Sequence, residues 1–191
     1  MSDEFIINDG KLEKYTGKDE CVTIPDGVEK IAIYAFTGNP YIKTVVMPDS
    51  VKIVETLGFA YCDSLEEVFM SQGMTAIEHS VFRCCPKLKK VHFPKGLKTI
   101  GECAFEACES LEEIELPDGV EVISGYAFRD CKSLKSVKIP DTVRELGYIS
   151  DVSYGAFAGC SNLKYVDFPG FSKYTFNFSM TPYYQDWKQQ N

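Results

Sequence analysis

Apolar residues recur along the chain at a spacing of 23 residues. Leucine or isoleucine forms one column at Ile42, Leu65, Leu88, Leu111, Leu134 and Leu163. Phenylalanine forms a second column at Phe36, Phe59, Phe82, Phe105, Phe128 and Phe157. Proline keeps the same step at Pro25, Pro48, Pro94, Pro117 and Pro140, with Ser71 in the remaining place. Agreement of six copies at several columns indicates a repeat protein, and only the last copy departs, with six extra residues.

Each copy predicts the same local structure. In the copy at 110–131, Ile114 and Leu116 alternate with glutamates, which predicts a short strand with one apolar side. The Pro-Asp-Gly at 117–119 ends this strand, because proline has no N–H to donate and glycine accepts a positive φ. A Val-x-x-Ile segment then predicts a second extended piece, and Ala-Phe-x-x-Cys predicts a tight, 3₁₀-like turn. Since one copy cannot bury its apolar side alone, we expect the copies to stack into a solenoid with parallel strands about 4.8 Å apart.

The copy SLEEIELPDGVEVISGYAFRDC (110–131) resembles the BspA-like leucine-rich repeats, a class found in surface proteins of anaerobic bacteria and some parasitic protists. The resemblance covers roughly residues 20–170. It implies an α/β-type repeat solenoid, namely a right-handed leucine-rich-repeat coil with parallel short strands and about six to seven rungs, capped at both ends. We expect an N-terminal cap or hairpin at 1–24, the leucine-rich-repeat array at 25–170 and an aromatic C-terminal cap at 171–191. Such caps cover core and strand edges that an open end would expose.

Five of the eight cysteines follow the repeat and lie three residues after its phenylalanine. In the first copy an asparagine fills this position. A position that accepts Cys or Asn suits a small side chain that bonds to backbone groups at a turn. We therefore interpret the column as a structural ladder, although a disulfide between neighbouring rungs is geometrically conceivable. The ladder consists of Asn39, Cys62, Cys85, Cys108, Cys131 and Cys160.

The remaining cysteines, Cys21, Cys84 and Cys103, form no recognisable chemical motif. No Cys-x-x-Cys pair occurs, and neither His79 nor His92 lies at a zinc-ligand spacing from them. The chain also contains no nucleophile elbow, phosphate-binding loop or dinucleotide fingerprint. The sequence therefore predicts a protein that is not an enzyme and that uses no cofactor or metal. The role of Cys84 stays open.

Variable residues flank the buried position of each predicted strand, and the family resemblance implies that they form a broad concave surface. Charge sign alternates from rung to rung along these columns, which favours adjacent pairs of opposite charge and is a sufficient structural explanation of the pattern. The functional interpretation is a mixed polar surface for a protein or peptide partner, with aromatic side chains as anchors. The candidate binding surface comprises Glu67, Phe69, Lys90, His92, Glu113, Glu115, Lys138, Tyr165 and Asp167.

The extra residues of the last copy lie within LGYISDVSYGAF (146–157). We expect them to loop out of the rung and to carry Tyr148, Ile149 and Tyr154. A loop on a rigid scaffold is a common place for function, and variation in a tolerant turn is an equal alternative.

Charge and hydropathy exclude two classes of partner. A formal net charge of −8 argues against nucleic acid, because binding phosphates requires a basic field. No apolar run approaches 18 residues, so we expect no membrane insertion. The start MSDEFIINDGKLEKY has neither the basic nor the apolar region of a signal peptide, whereas the resemblance implies the cell surface or the extracellular space. Localisation therefore stays open.

Together these patterns predict a non-enzymatic binding module for protein–protein recognition or adhesion through the concave face. One alternative is a structural spacer of a larger surface protein. Another is the targeting module of an enzyme whose catalytic domain lies outside this chain. The identity of the partner and the oligomeric state stay open.

Overall fold

The chain forms a β-solenoid of about six turns, in which short strands pair in parallel with their equivalents in neighbouring copies. The structure, a computed structural model, describes residues 4–147 and 155–167. A hairpin comes first, with β1 (Phe5–Asn8) antiparallel to β2 (Lys11–Tyr15).

Two series of strands alternate after the hairpin. Three-residue strands are β3 (Cys21–Thr23), β5 (Thr44–Val46), β7 (Glu67–Phe69), β9 (Lys90–His92), β11 (Glu113–Glu115), β13 (Ser136–Lys138) and β15 (Tyr165–Asp167). Two-residue strands are β4 (Lys30–Ile31), β6 (Ile53–Val54), β8 (Ala76–Ile77), β10 (Thr99–Ile100), β12 (Val122–Ile123) and β14 (Glu145–Leu146). Most strands pair in parallel and in register with the equivalent strand of the next copy, as Ile114 does with Val137 and Ile100 with Ile123. The predicted strand and the predicted second extended segment of each copy are thus confirmed.

The third side of each rung consists of hydrogen-bonded turns. Around the buried Phe105, Cys103 and Ala107 have left-handed backbone, with φ of 56° and 58°. Left-handed residues on both sides of the phenylalanine prevent the continuous right-handed backbone that a helical turn needs. The expected α/β label is therefore corrected, because the described residues contain strands and turns and no helix. The tight turn itself is present, with i→i+3 bonds such as that from the Cys108 N–H to the Phe105 carbonyl at 3.2 Å. Within residues 4–147 and 155–167, no helix is long and apolar enough to cross a membrane.

A column of aromatic rings packs inside the turn side of the solenoid. Successive repeat phenylalanines stack with ring centroids 4.4 to 5.6 Å apart. Tyr15 of β2 extends the column by stacking on Phe36 at 5.2 Å. Such pairs contribute about 0.5–1.5 kcal/mol each beyond the burial of their area. The rings therefore tie each rung to the next through the centre of the molecule.

Ser71 shows how one copy closes its turn without the repeat proline. Its side chain is fully buried. The hydroxyl donates to the Val51 carbonyl at 2.6 Å and accepts from the Gly73 N–H at 3.0 Å. Two hydrogen bonds thus hold a turn that proline stiffens in the other copies.

The hairpin lies where the N-terminal cap was expected, and β2 pairs in parallel with β4. Leu12 of β2 is fully buried against the array. The division of the chain at 1–24, 25–170 and 171–191 stays a prediction, and the segment 171–191 lies outside the described residues.

Candidate binding face

The outward side of the three-residue strands is called the strand face from here on. In each of these strands the middle side chain points into the core and its two neighbours point outwards, because side chains alternate along extended backbone. In β7, for example, Val68 is fully buried between Glu67 and Phe69. All nine residues of the predicted binding surface lie on this face: Glu67, Phe69, Lys90, His92, Glu113, Glu115, Lys138, Tyr165 and Asp167.

Three of these residues form a compact group on β7 and β9. The rings of Phe69 and His92 stack with centroids 4.1 Å apart and an angle of 5° between their planes. The His92 Nε2 lies 2.8 Å from Oε1 of Glu67. Phe69 keeps 37% of its surface exposed despite the stack. The group therefore offers a flat apolar surface whose orientation is fixed by a neighbouring carboxylate.

Ion pairs join neighbouring rungs beside this group. Lys89 lies 2.8 Å from Glu66, and Lys135 lies 2.6 Å from Glu112. Hydrogen bonds from these ammonium groups lower the pKa of Glu66 and of Glu112. All four side chains are exposed, so water and salt screen their attraction. The alternating charges thus support the stacking of rungs, as their sequence pattern predicted.

The second half of the face surrounds a shallow depression on β11, β13 and β15. The depression has a volume of about 350 Å³, and its lining includes Glu113, Glu115, Lys138, Tyr165 and Asp167. Tyr165 is 60% exposed at its edge. The hydrogen bond to Glu115 raises the pKa of Lys138. This half therefore combines one large aromatic side chain with charges of both signs.

The cysteine ladder lies inside the turn side and away from the strand face. Each ladder cysteine is fully buried. Each thiol donates to the carbonyl of the phenylalanine one copy earlier, at 3.1 to 3.3 Å, in the pairs Cys62–Phe36, Cys85–Phe59, Cys108–Phe82, Cys131–Phe105 and Cys160–Phe128. Burial raises the pKa of the Cys85, Cys108 and Cys131 thiols. These contacts fit the structural role that was predicted from a column accepting either Cys or Asn.

A second polar cluster on the turn side was not predicted. Glu106, with 12% of its side chain exposed, lies 2.9 Å from Arg83 and 3.9 Å from Arg129. Burial and the carboxylate of Glu106 raise the pKa of Cys103 to about 12, and burial also raises that of Cys84. A smaller fraction of either thiol is thus ionised at neutral pH than of a cysteine in water, which makes both weaker nucleophiles. The signal in the sequence was the alternation Arg-Glu-Arg in the column one residue after the repeat phenylalanine.

Among the residues that the structure describes, no three His, Cys, Asp or Glu side chains come together as metal ligands. The predicted loop residues Tyr148, Ile149 and Tyr154 lie outside the described residues, so a role for that loop stays a prediction.

Comparison with known proteins gives the family. The model of the "BspA type Leucine rich repeat region (6 copies)" matches residues 14–117 and 98–181. The solved leucine-rich repeat protein TpLRR of T. pallidum is 32% identical, with a TM-score of 0.79 and coverage of 87% of this chain and 80% of that one. A search of curated proteins finds no significant match.

Two further solved structures are longer than the region they share with this chain. The leucine-rich repeat protein of Bacteroides ovatus is 31% identical, with a TM-score of 0.71, over 83% of this chain and 40% of that one. A leucine rich cell surface protein of Faecalibacterium prausnitzii is 27% identical, with a TM-score of 0.56, over 84% of this chain and 35% of that one. The chain thus spans less than half of these two proteins. With its period, its parallel strands and a family match along most of its length, the chain belongs to the BspA-type leucine-rich-repeat family.

Proposed function

We propose that the protein is a recognition module that binds a protein or peptide partner through the strand face. The observation that carries this proposal is the exposed stack of Phe69 on His92 within a polar surface. Aromatic side chains on a polar background are typical of the residues that dominate binding energy at protein interfaces. Repeat solenoids generally present such extended surfaces to partners.

The stack is suited to binding because its side chains are already ordered. His92 is held between the Phe69 ring and the Glu67 carboxylate, so a partner does not have to immobilise it. Ordering a flexible side chain at an interface costs about 0.5–1.5 kcal/mol, and a fixed one avoids part of that cost. The mixed charges around the stack favour specific contacts over long-range steering of one charge type.

A peptide selection tests this proposal. Displayed random peptides are selected on the immobilised protein, and the affinity of the selected peptides is then measured for variants. We expect Phe69→Ala to weaken binding about tenfold or more, as for an interface hot spot, and Glu113→Lys to weaken binding through altered charge. Tyr61→Ala is the matched control, because Tyr61 is a 45% exposed aromatic residue on the turn side. Unchanged binding by both strand-face variants would contradict the proposal.

Adhesion at a cell surface is one setting in which such recognition would act. One relative is described as a cell surface protein. A structural spacer is the second candidate, and the ion pairs between rungs favour it, because they explain the exposed charges without a ligand. Selection that yields no peptide above background on well-folded protein would favour the spacer. A targeting module requires an enzyme domain in the same gene, which the surrounding gene sequence would reveal.

A further inference from the structure

The strand face is interrupted between β9 and β11. The three-residue strands form two separate sheets, β3-β5-β7-β9 and β11-β13-β15, and no pairing joins β9 to β11. The opening between these two strands is called the seam. At the other interfaces between described three-residue strands the backbone bonds are regular, as where the Met70 N–H donates to the His92 carbonyl at 3.2 Å. Across the seam, the equivalent Phe93 and Glu112 N–H groups have no backbone acceptor among the described residues.

The rungs on either side of the seam remain joined at their other two sides. β10 pairs in register with β12 behind the seam. On the turn side, the Phe82 N–H donates to Ala104 at 2.9 Å, and the rings of Phe82 and Phe105 stack at 5.3 Å. The seam is therefore an opening of the strand face between two rungs that stay joined at their other two sides. The two-residue strands have an interruption of their own, between β6 and β8, one side of the solenoid away from the strand face.

Two core side chains are less buried at the seam than in the preceding copy. A cleft of about 650 Å³ lies between the two strands, and its lining includes Lys90, His92 and Glu113. A crevice of about 30 Å³ continues inwards to the rings of Phe105 and Phe128. Val91 and Phe93 line this crevice and are only partly buried, whereas their equivalents Val68 and Met70 in the preceding copy are buried.

Charges at the seam are left without partners. Lys90 and Glu113 occupy the same repeat position on the two facing strands and have opposite signs. Neither side chain forms a hydrogen bond or ion pair with a described residue. The other charges beside the seam bond away from it, since Lys89 turns to Glu66 and His92 to Glu67. The two edges therefore present free backbone groups, one free ammonium and one free carboxylate to the same opening.

We infer that the seam binds an extended peptide segment of a partner protein as an added strand between β9 and β11. This inference rests on the proposed function and specifies its site and its ligand. Free strand edges recruit extended peptides by backbone hydrogen bonds, while pockets for alternate side chains give specificity.

The chemistry of the seam defines the peptide. Its inward side chain lies between Val91 and Ile114, above the phenylalanine column, and is therefore aliphatic. One flanking side chain lies between Lys90 and Glu113, and the other between His92 and Glu115. A side chain that both donates and accepts hydrogen bonds, such as glutamine or threonine, satisfies a cation and an anion together. The recognised core is thus a polar, aliphatic, polar triplet in extended conformation.

Fluorescence anisotropy tests the inference with a labelled, end-capped peptide of sequence Ser-Thr-Gln-Val-Gln-Thr-Ser. We expect saturable binding by the full chain and a loss of about tenfold or more when the central valine of the peptide is replaced by aspartate. The double variant Lys90→Ala and Glu113→Ala should weaken binding by a similar factor. The double variant Thr44→Ala and Ser136→Ala is the matched control, since these residues hold the same repeat position on paired strands.

Amide exchange measured by NMR tests the seam itself. In the free protein, the N–H groups of Phe93 and Glu112 should exchange about 100-fold faster than that of Met70, and bound peptide should slow them. Protection of these two groups without peptide would overturn the inference. Protection at every protein concentration would mean that the strands pair or that another segment of this chain fills the seam. Protection only at high concentration would mean that a second copy does.

The seam and the proposed function can fail separately. Peptides that depend on Phe69 but not on Lys90 and Glu113 would overturn the seam and leave recognition by the strand face in place. If the Phe69 variant and the Lys90 and Glu113 double variant both bind as the parent does, the seam and the proposed function are contradicted together.

Discussion

The buried thiols of the cysteine ladder should make the stability of the protein fall at alkaline pH. Burial holds the pKa of Cys85, Cys108 and Cys131 above that of a thiol in water. In the unfolded chain a cysteine loses its proton at a pKa of about 8.5. Above that pH the unfolded state binds fewer protons than the folded state, so the free energy of unfolding decreases as pH rises. Below that pH both states keep the proton, and these thiols add no pH dependence.

Substitution of Cys108 measures how much one buried thiol changes the free energy of unfolding as pH rises. Each pH unit above about 8.5 costs about 1.4 kcal/mol per buried thiol, which gives about 2 kcal/mol at pH 10. Near pH 7, Cys108→Ala should lower the free energy of unfolding by about 1 kcal/mol, because it removes a buried sulfur and its hydrogen bond to Phe82. At pH 10 the same variant should be about 1 kcal/mol more stable than the parent, because it has no thiol at this position whose ionisation favours the unfolded chain.

The assay is urea unfolding followed by circular dichroism, in reducing buffer, at pH 7, 8, 9 and 10. Lysine and tyrosine titrations are shared by parent and variant and cancel in the difference between them. Cys21→Ala is the matched control, because it removes an exposed thiol. Its effect on the free energy of unfolding should stay constant over this range. A constant effect of Cys108→Ala from pH 7 to pH 10 would refute the reasoning.

Three further predictions concern the core and the thiols. Phe105→Ala should lower the free energy of unfolding in urea by about 3–5 kcal/mol, because the ring is fully buried within the aromatic column, and a loss below about 1.5 kcal/mol would show that the column is dispensable. Ser71→Ala should cost about 1–3 kcal/mol in the same assay by leaving two turn groups unpaired, and a neutral result would mean that water replaces the hydroxyl. Iodoacetamide at pH 8 should modify Cys21 before Cys103, whose pKa is raised to about 12, and equal rates by peptide mapping would contradict that shift.

Periodicity predicted the buried half of each rung because burial is a property of the repeat position. Phe105 and Cys108 occupy columns whose described phenylalanines and cysteines are all buried. The turn side was harder to predict, because its left-handed residues include Cys103 and Ala107, which carry no glycine-like signal. The tight turn was therefore predicted, but the two left-handed residues within it were not.

Features that differ from one rung to the next were not predictable from the repeat. The signs of Lys90 and Glu113 agree with pairing across neighbouring strands, yet the two side chains lie on opposite edges of the seam. A repeat pattern treats every interface as equivalent, so it cannot indicate at which interface the strand face opens. The nearly buried Glu106 likewise depends on arginines that only its two neighbouring rungs supply.

The hydrogen bonds of the cysteine ladder give the array a direction. Every thiol bonds to the rung before it, so a rung lost from the C-terminal side leaves a carbonyl that water can reach. A rung lost from the N-terminal side leaves a buried donor with no acceptor, which costs more. At the first copy Asn39 takes the place of a cysteine, so no buried thiol lacks an acceptor there. Its Nδ2 donates to Gly17 at 3.1 Å, and its Oδ1 accepts from the backbone of Tyr41 and Ile42. An array of this kind can gain copies after its last rung. A new first copy, however, requires at the ladder position a residue such as asparagine, whose side chain bonds to the backbone of its own turn.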